Sequence, residues 1–501
     1  MFRENGAATL LPAVAVAIVV LCVNAFSLDP DVGFWDTGEL QTVAYILGLA
    51  HPTGYPTEIL AGWLFTHAVP FGEPAFRMNL FCMVCVVVSA ACGCGIAILC
   101  GALPSLAVAA ALCFAFTPVV WGHATHADVT DPALLLCSLT LLSTVVALRA
   151  KNLQLLVLSA VLAGLALGTH GVVIWFLPVV VVLIATGWDR PIRYALQMWV
   201  ATACATAVAV YSYLPIRSAI VTAQHLDPTR TIGLPAGMAF WDLGHPSSWN
   251  GFLSIVSGAP VGATHSLPAI LHANEYWAYA SFLGVHLRQN YPAPVLVTAG
   301  LSALLGIATS RRLAVLLLPL VLVTPFASSF KAETDVDRYF TIPLMCLWIV
   351  AAVGASRLEI KRFGGAPALM ALVFVAVAAT EVYQSRSLFA ARSDRLGSKY
   401  VASVLASTGR HSIVIAPWVY ATPLGYAAYV RHETAERIVV AMPAESAAPY
   451  LRAWLRTWTV YAVSESPPNT KFRATFIGRL HVNPDPAHDP KLYELSGTGD
   501  S

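Results

Sequence analysis

The chain has 501 residues, of which 57% are hydrophobic and 11% are charged, and its mean hydropathy is +0.69. A soluble protein of this size has no use for so much apolar surface, so the composition implies an integral membrane protein. A formal net charge of +2 excludes a large nucleic-acid footprint.

A helix that crosses a bilayer core needs about 20 apolar residues, with a range of about 17–25. Runs of this kind fall near 10–27, 77–100, 103–121, 131–149, 153–168, 171–187, 195–215, 293–309, 313–330, 339–356 and 365–384, which predicts about eleven helices. The first follows Arg3. It could be read as a cleaved signal peptide, but a retained span fits better because so many spans follow. Orientation comes from the Lys and Arg of the short loops. Arg149 and Lys151, Arg190 and Arg193, Arg311 and Arg312, and Arg357, Lys361 and Arg362 all fall on one side when the N-terminus is cytoplasmic. Loops 122–130 and 169–170 carry no Lys or Arg. Segments 28–76 and 216–292 and the C-terminal tail then face outside.

The first outer segment opens on "GFWDTGEL", residues 33–40, which holds Asp36 and Glu39 three residues apart. Leu40 to Leu49 has helical periodicity but is too short to span, and reads as a helix lying along the membrane surface. "HPTGYP" (51–56) is a turn punctuated by two prolines and a glycine, and a second short apolar run extends from Ile59 to Val69. Segment 216–292 is rich in turn-formers and aromatics, including Trp241, Trp249 and Trp277, and reads as an ordered outer loop. Of the 56 charged residues, 22 lie between Arg386 and Ser501, which marks a separate, water-exposed C-terminal domain. Its pattern predicts strands at 411–418, 436–443 and 458–466 and an amphipathic helix at 447–458, a small α/β domain without a glycine-rich phosphate loop. The domain boundary is therefore placed between 385 and 386. All ten cysteines lie in or beside apolar runs and read as packing residues, not as a metal or disulfide framework.

Asp36 and Glu39 admit two readings. With a helix starting near Thr37, Asp36 caps it and Glu39 places charge in its first turn. Alternatively, a carboxylate at the membrane–water boundary serves as general base, with Phe34 and Trp35 anchoring the loop at the interface. Asp131 precedes Pro132 and reads as a cap, whereas Asp128 can reach the same cavity as Asp36. His123 and His126 have metal-like spacing but no third ligand in pattern, so no metal is expected. His170 sits in a tight hairpin and fits a structural hydrogen bond as well as a site role. Arg217, Lys331 and Arg338 on the outer face either snorkel or meet an anion such as a lipid phosphate.

The stretch "WDTGELQTVAYILGLAHPTGYPTEILAGWLFTHAVPFGEPAFRMNL" resembles the first outer loop of a membrane glycosyltransferase family. Its animal member is a transmembrane protein O-mannosyltransferase acting on IPT domains of plexin-type receptors. The family pattern runs D-S-G-E-L, A-H-P-P-G-Y-P and P-F-G…R-x-N-L. "WGHATHADVTDPALL", "GLALGTHGVV", "YLPIRS" and "FWDLGHPSSWNGFLSIVSG" continue the similarity, which covers about residues 30–345. Departures are mild: Thr37 for Ser, Asp128 for the Glu of an A-E-V-Y segment, and Thr169 for Asn. The tail lacks the acidic G-D-N-D stretch of bacterial relatives.

The resemblance implies a mainly α, polytopic GT-C-like fold in a cytoplasmic membrane of bacterial type. It implies an inverting transfer of a sugar, mannose by analogy, from a polyprenyl-phosphate donor to a hydroxyl of a protein or glycan acceptor. Asp36 is the expected catalytic carboxylate, with Glu39 beside it. Arg217 and Arg338 are expected to hold the donor phosphate, and His51, Tyr55, Asp128, His170 and Trp241 the sugar or acceptor. No metal or other cofactor is required. Two other readings are a transporter or flippase, which predicts ionisable residues at mid-membrane depth, and a non-catalytic binder of lipid-linked glycans.

Overall fold

The computed structural model describes residues 2–188, 191–238, 240–258, 276–291, 293–329, 336–358, 365–482 and 489–497. Arg190, Lys331, Lys361 and Arg362, and residues 259–275 of the second large loop, lie outside the described residues. The chain is mainly helical. In order it forms α1 (Phe2–Ala25), α2 (Trp35–Ile46), α3 (Pro56–Ala68), α4 (Pro74–Leu99), α5 (Pro104–Phe116), α6 (Pro118–His123), α7 (Thr130–Ala150), α8 (Leu153–Leu167), α9 (Leu177–Gly187), α10 (Ile192–Tyr211), α11 (Tyr213–Ala223) and α12 (Trp249–Ser257). Then follow α13 (Tyr276–Asn290), α14 (Ala293–Thr309), α15 (Leu318–Ser329), α16 (Thr341–Ser356) and α17 (Ala366–Gln384).

Each of the apolar runs is helical. Among the described residues, five helical stretches are long and apolar enough to cross a membrane: Pro74–Leu99, Thr130–Ala150, Ile192–Ala223, Val336–Ser356 and Ala366–Gln384. The remaining runs form apolar helices of 10–17 residues. The bundle packs closely because small residues line its crossings. A Cβ added at Gly354 would meet the Ser302 carbonyl at 1.9 Å, and one at Gly164 the Ala203 carbonyl at 2.5 Å. All ten cysteines are free, and most are buried as small packing groups.

The C-terminal region contains α18 (Leu396–Ser407), β1 (Ser412–Ala416), α19 (Trp418–Tyr429), β2 (Ile438–Ala441), α20 (Ala444–Trp454), β3 (Thr459–Ser464), β4 (Arg473–Arg479) and β5 (Lys491–Ser496). The strands form one sheet in the order β2-β1-β3-β5-β4. β1 pairs in parallel with β2 and β3, and β5 runs antiparallel to β3 and β4. The three expected strands and the amphipathic helix are present; α18, α19, β4 and β5 are additional.

This region packs against the first and second loops. Leu40, Val43 and Ile59 of the first loop share one buried cluster with Val414, Tyr420, Leu424 and Tyr461 of the C-terminal region and with Phe240 of the second. A Cβ at Gly397 would meet the Val32 carbonyl at 1.9 Å, so α18 lies directly on the first loop. Asp31 is buried, accepts the Ser398 backbone N–H at 2.8 Å and its hydroxyl, and lies 3.8 Å from Arg431. Three segments distant in sequence thus cover the same end of the bundle.

Candidate active site

The site grows from the loop between α1 and α4. α2 begins at Trp35, earlier than the expected start near Thr37, and Phe34 is its N-cap with no side-chain cap bond. Asp36 therefore lies inside the first turn and is not the cap. Phe34 does not anchor a membrane interface. Its ring packs 5.6 Å from that of Tyr400 and 6.5 Å from that of Tyr420. α2 is not a surface-lying helix either, because the run Gly38 to Ala44 is buried. At Gly38 a Cβ would meet the Gly33 carbonyl at 2.3 Å and the Thr422 hydroxyl at 3.0 Å, so glycine lets α19 press against α2.

Two buried amides fix this loop to the rest. Gln41 accepts from Gly33 N–H at 2.9 Å and donates to Asn79 Oδ1 at 2.8 Å and to the Asp31 carbonyl at 3.2 Å. Asn79 Nδ2 donates to the Asp29 carbonyl at 2.8 Å, and Asn79 Oδ1 accepts from Ala127 N–H at 2.9 Å. The Thr37 hydroxyl donates to the Ala127 carbonyl at 3.1 Å. This network ties the turn carrying Asp36 to the turn carrying Asp128, and it explains the Asn of the R-x-N-L motif: every polar atom buried here needs a partner.

Glu39 points inward and is fully buried. One carboxylate oxygen accepts the His51 backbone N–H at 2.7 Å, and the other accepts from His51 Nδ1. Burial raises the Glu39 carboxyl above its ordinary range. Burial by itself lowers the His51 imidazole, but the Glu39 and Asp36 charges outweigh it and lift His51 to about 9. The Tyr55 hydroxyl stands 2.8 Å from His51 Nε2 and donates to the Pro52 carbonyl at 2.8 Å. Tyr55 holds φ at 45°, in the left-handed region, a strain of about 1–2 kcal/mol that these contacts must offset. Its ring stacks on His170 with centroids 6.1 Å apart. His170 Nδ1 accepts from Val172 N–H at 3.0 Å, and burial followed by the Arg338 charge lowers the imidazole to about 3, so it stays neutral.

Asp36 faces a mixed set of partners and keeps 34% of its side chain exposed. Trp418 Nε1 donates to Oδ1 at 3.1 Å. Oδ2 lies 3.8 Å from His51 Nε2 and 3.9 Å from Arg338 Nη1. The same guanidinium nitrogen lies 3.8 Å from Asp128 Oδ2, which is also 3.3 Å from His123 Nδ1. Burial alone raises the Asp128 carboxyl, but His123 and Arg338 take it well below the usual range. Arg338 therefore stands between two carboxylates from different turns, one of them half-open to solvent. Such an arrangement offers a base, an orienting imidazole and a cation for a developing negative charge.

The structure brings together Asp36, Glu39, His51, Tyr55, Asp128, His170 and Arg338. The contacts of Arg217 and Trp241 lie with other residues. Arg217 Nε donates to the Leu47 carbonyl at 2.6 Å and Nη2 to the Ile46 carbonyl at 3.2 Å, so the guanidinium caps the C-terminus of α2. It lies 5.8 Å over the Trp241 ring, and that ring contacts Tyr429 at 6.0 Å. The carbonyls freed at a helix end compete for the cation that the sequence offers to a phosphate. Asp131 lies in the first turn of α7, whose N-cap residue is Val129. Sequence reasoning missed Trp418. It sits where a strand was expected to continue, and the only available signal was a Pro-Trp step after a short apolar run.

Comparison with known proteins places these features in context. Residues 36–191 match the model described as the N-terminal domain of protein O-mannosyl-transferase TMEM260. The mouse protein O-mannosyl-transferase TMEM260 is 28% identical over 218 residues, which are 42% of this chain and 31% of that protein. The Dictyostelium discoideum protein of the same description is 38% identical over 60 residues, 12% of this chain and 7% of that one. The matches thus span about a third or less of these relatives' own length. Among solved structures, ArnT from Cupriavidus metallidurans superposes with a TM-score of 0.55 at 14% identity, covering 98% of both chains. Its form bound to undecaprenyl phosphate gives 0.52. The mycobacterial arabinofuranosyltransferase AftD gives 0.52 at 12% identity, over 98% of this chain and 40% of that one. The fold is that of the GT-C membrane glycosyltransferases, and the matched family segment carries Asp36, Glu39, His51, Tyr55, Asp128 and His170.

Proposed function

We propose that the chain is an inverting glycosyltransferase that uses a polyprenyl-phosphate sugar, with mannose the first candidate and a protein hydroxyl the first acceptor class. The observation that carries this reading is the Arg338 guanidinium held within 3.9 Å of Asp36 and 3.8 Å of Asp128, beside an Asp36 carboxylate still partly open. Asp36 takes the proton of the acceptor hydroxyl. The hydroxyl oxygen bonds to the anomeric carbon from the face opposite the phosphate. The bond from that carbon to the phosphate oxygen breaks, and its electron pair leaves with the lipid phosphate. Arg338 stabilises the charge gained there. Glu39 and His51 hold the loop, and Glu39 is too enclosed to meet an acceptor. The N-terminus is read as cytoplasmic, with the site and the C-terminal region on the opposite face of a bacterial-type membrane.

Two names favour this reading: the mannosyl-transferase relatives, and the structural neighbour solved with undecaprenyl phosphate. The test uses purified protein, polyprenyl-phosphate mannose and a panel of acceptors including folded receptor domains. Transfer by the wild type and none by a folded Asp36→Asn variant is the expected outcome. Donor binding without transfer to any acceptor, or full turnover in Asp36→Asn, would overturn the mechanism.

A further inference from the structure

His123 and His126 lie three residues apart around the end of α6, and Asp128 follows two residues later. The fold draws the three together. Ligand atoms of His123, His126 and Asp128 all come within 4.8 Å of one another. His123 Nδ1 and Asp128 Oδ2 are 3.3 Å apart. A charge-assisted N–H···O bond is shorter, about 2.7–2.9 Å. Donors around a tetrahedral ion with bonds of about 2 Å stand about 3.3 Å apart.

The surroundings orient these groups as they would be oriented around an ion. Asp128 Oδ1 is occupied by the Thr130 N–H at 2.7 Å and the Thr130 hydroxyl at 2.5 Å, which turns Oδ2 toward the imidazoles. The Thr125 hydroxyl already donates to the Gly122 carbonyl at 2.7 Å, so at 3.1 Å it accepts from His126 Nδ1 and leaves the Nε2 lone pair available. Such outer contacts fix tautomer and orientation at metal sites. Two further buried acids lie close by. Glu58 and Asp131 are buried within electrostatic range of Asp128, and both Glu58 oxygens and Asp131 Oδ2 lack a hydrogen-bond partner among the described residues. Access exists, because a cavity of about 350 Å³ is bordered by His123, Thr125, His126 and Asp337.

We propose that His123, His126 and Asp128 bind one divalent transition-metal ion, Zn²⁺ by ligand type, with a fourth position left open to an oxygen ligand. The binding does not depend on the proposed reaction. Its role does: beside Arg338, the ion's open position suits an oxygen of the donor phosphate. The second cluster of suitable groups, Asp36, Glu39 and His51, is the weaker candidate because Glu39 already bonds His51 through both the backbone and the ring.

The test is metal content, read without any sugar-transfer assay. Full-length protein in detergent is stripped, loaded with Zn²⁺ or Co²⁺, freed of excess and measured by mass spectrometry and by Co²⁺ visible absorption. The expected result is about one equivalent with a low-symmetry N/O spectrum. His126→Ala is expected to weaken Co²⁺ binding by about 10- to 100-fold, with tryptophan fluorescence showing an unchanged melting temperature. Asp36→Asn is expected to keep the ion. Wild-type protein that retains neither ion would overturn the proposal without touching the transferase reading. So would equal binding by His126→Ala with loss in His51→Ala, since that places the ion at the other cluster.

Discussion

Trp418 donates its indole N–H to Asp36 at 3.1 Å across 382 positions of sequence. The ring also meets His51 edge-on at 6.2 Å and Phe240 at 5.4 Å. The C-terminal region therefore reaches the carboxylate proposed as base. A hydrogen bond to a charged group contributes about 1.5–3 kcal/mol. Trp418→Phe keeps the ring and removes the donor. Sugar transfer is expected to fall roughly 10- to 100-fold at an unchanged melting temperature, with most of the loss in kcat. Unchanged kinetics would mean that the bond does not shape the base.

Arg338 and Arg217 should separate cleanly. Arg338→Gln removes the cation between Asp36 and Asp128, and kcat is expected to fall by about 10²–10³-fold. Arg217→Gln removes the cap on α2 instead. It should lower the melting temperature and leave a smaller kinetic effect. If Arg217→Gln proved the more damaging to kcat in a stable protein, Arg217 would have to be returned to the donor site.

His51 supplies a pH dependence. Its folded-state value of about 9 lies above the ordinary 6.5, so its protonation stabilises the fold fully below about pH 6.5. That contribution is lost as pH rises through about 9. Glu39→Gln removes the largest charge that raises it, so the loss should be smaller and complete at lower pH. Melting temperature against pH for wild type and Glu39→Gln reads this directly; superimposable curves would contradict the coupling.

Glu58 is fully buried, and burial raises its carboxyl well above the ordinary range, so it is carried neutral. Glu58→Gln should leave stability unchanged or raise it near pH 7, because the folded wild type must keep a proton that its unfolded chain has released. As pH rises the variant should gain on the wild type, because only the wild-type fold holds a proton that the unfolded chain gives up. A large loss at neutral pH would mean that Glu58 is ionised and has a partner.

Gly397→Ala tests the seat of the C-terminal region. The new methyl meets the Val32 carbonyl at 1.9 Å, so α18 must shift away from the first loop. A destabilisation of about 1–3 kcal/mol is expected. It should come with reduced transfer, because the shift carries Trp418 away from Asp36. Denaturant unfolding and an activity assay on the same preparation check both.

Residues carrying a local signal could be placed from the sequence. Asp36 and His51 stood in a motif series, and Asp128 stood beside a predicted span on the same face. Glu39 could not be assigned, because capping and buried pairing leave the same letter in the chain. Only the fold shows both its oxygens on His51. Arg217 looked like a phosphate ligand because nothing local announces that a helix end 170 residues upstream needs its donors.

By itself, the sequence determined the apolar helices and the turns that carry the acids, since hydrophobic periodicity and turn chemistry are local. It also determined the strands at Ile413, Val439 and Val460, which are continuous apolar runs. What only the tertiary structure decided is which groups meet. Arg338 between Asp36 and Asp128 and Trp418 on Asp36 join segments that no short-range pattern links. They meet because buried polar groups must find partners once the loops and the sheet close over one end of the bundle. That closure is settled by packing around Phe240, Tyr420 and Leu40, not by the residues that would do the chemistry.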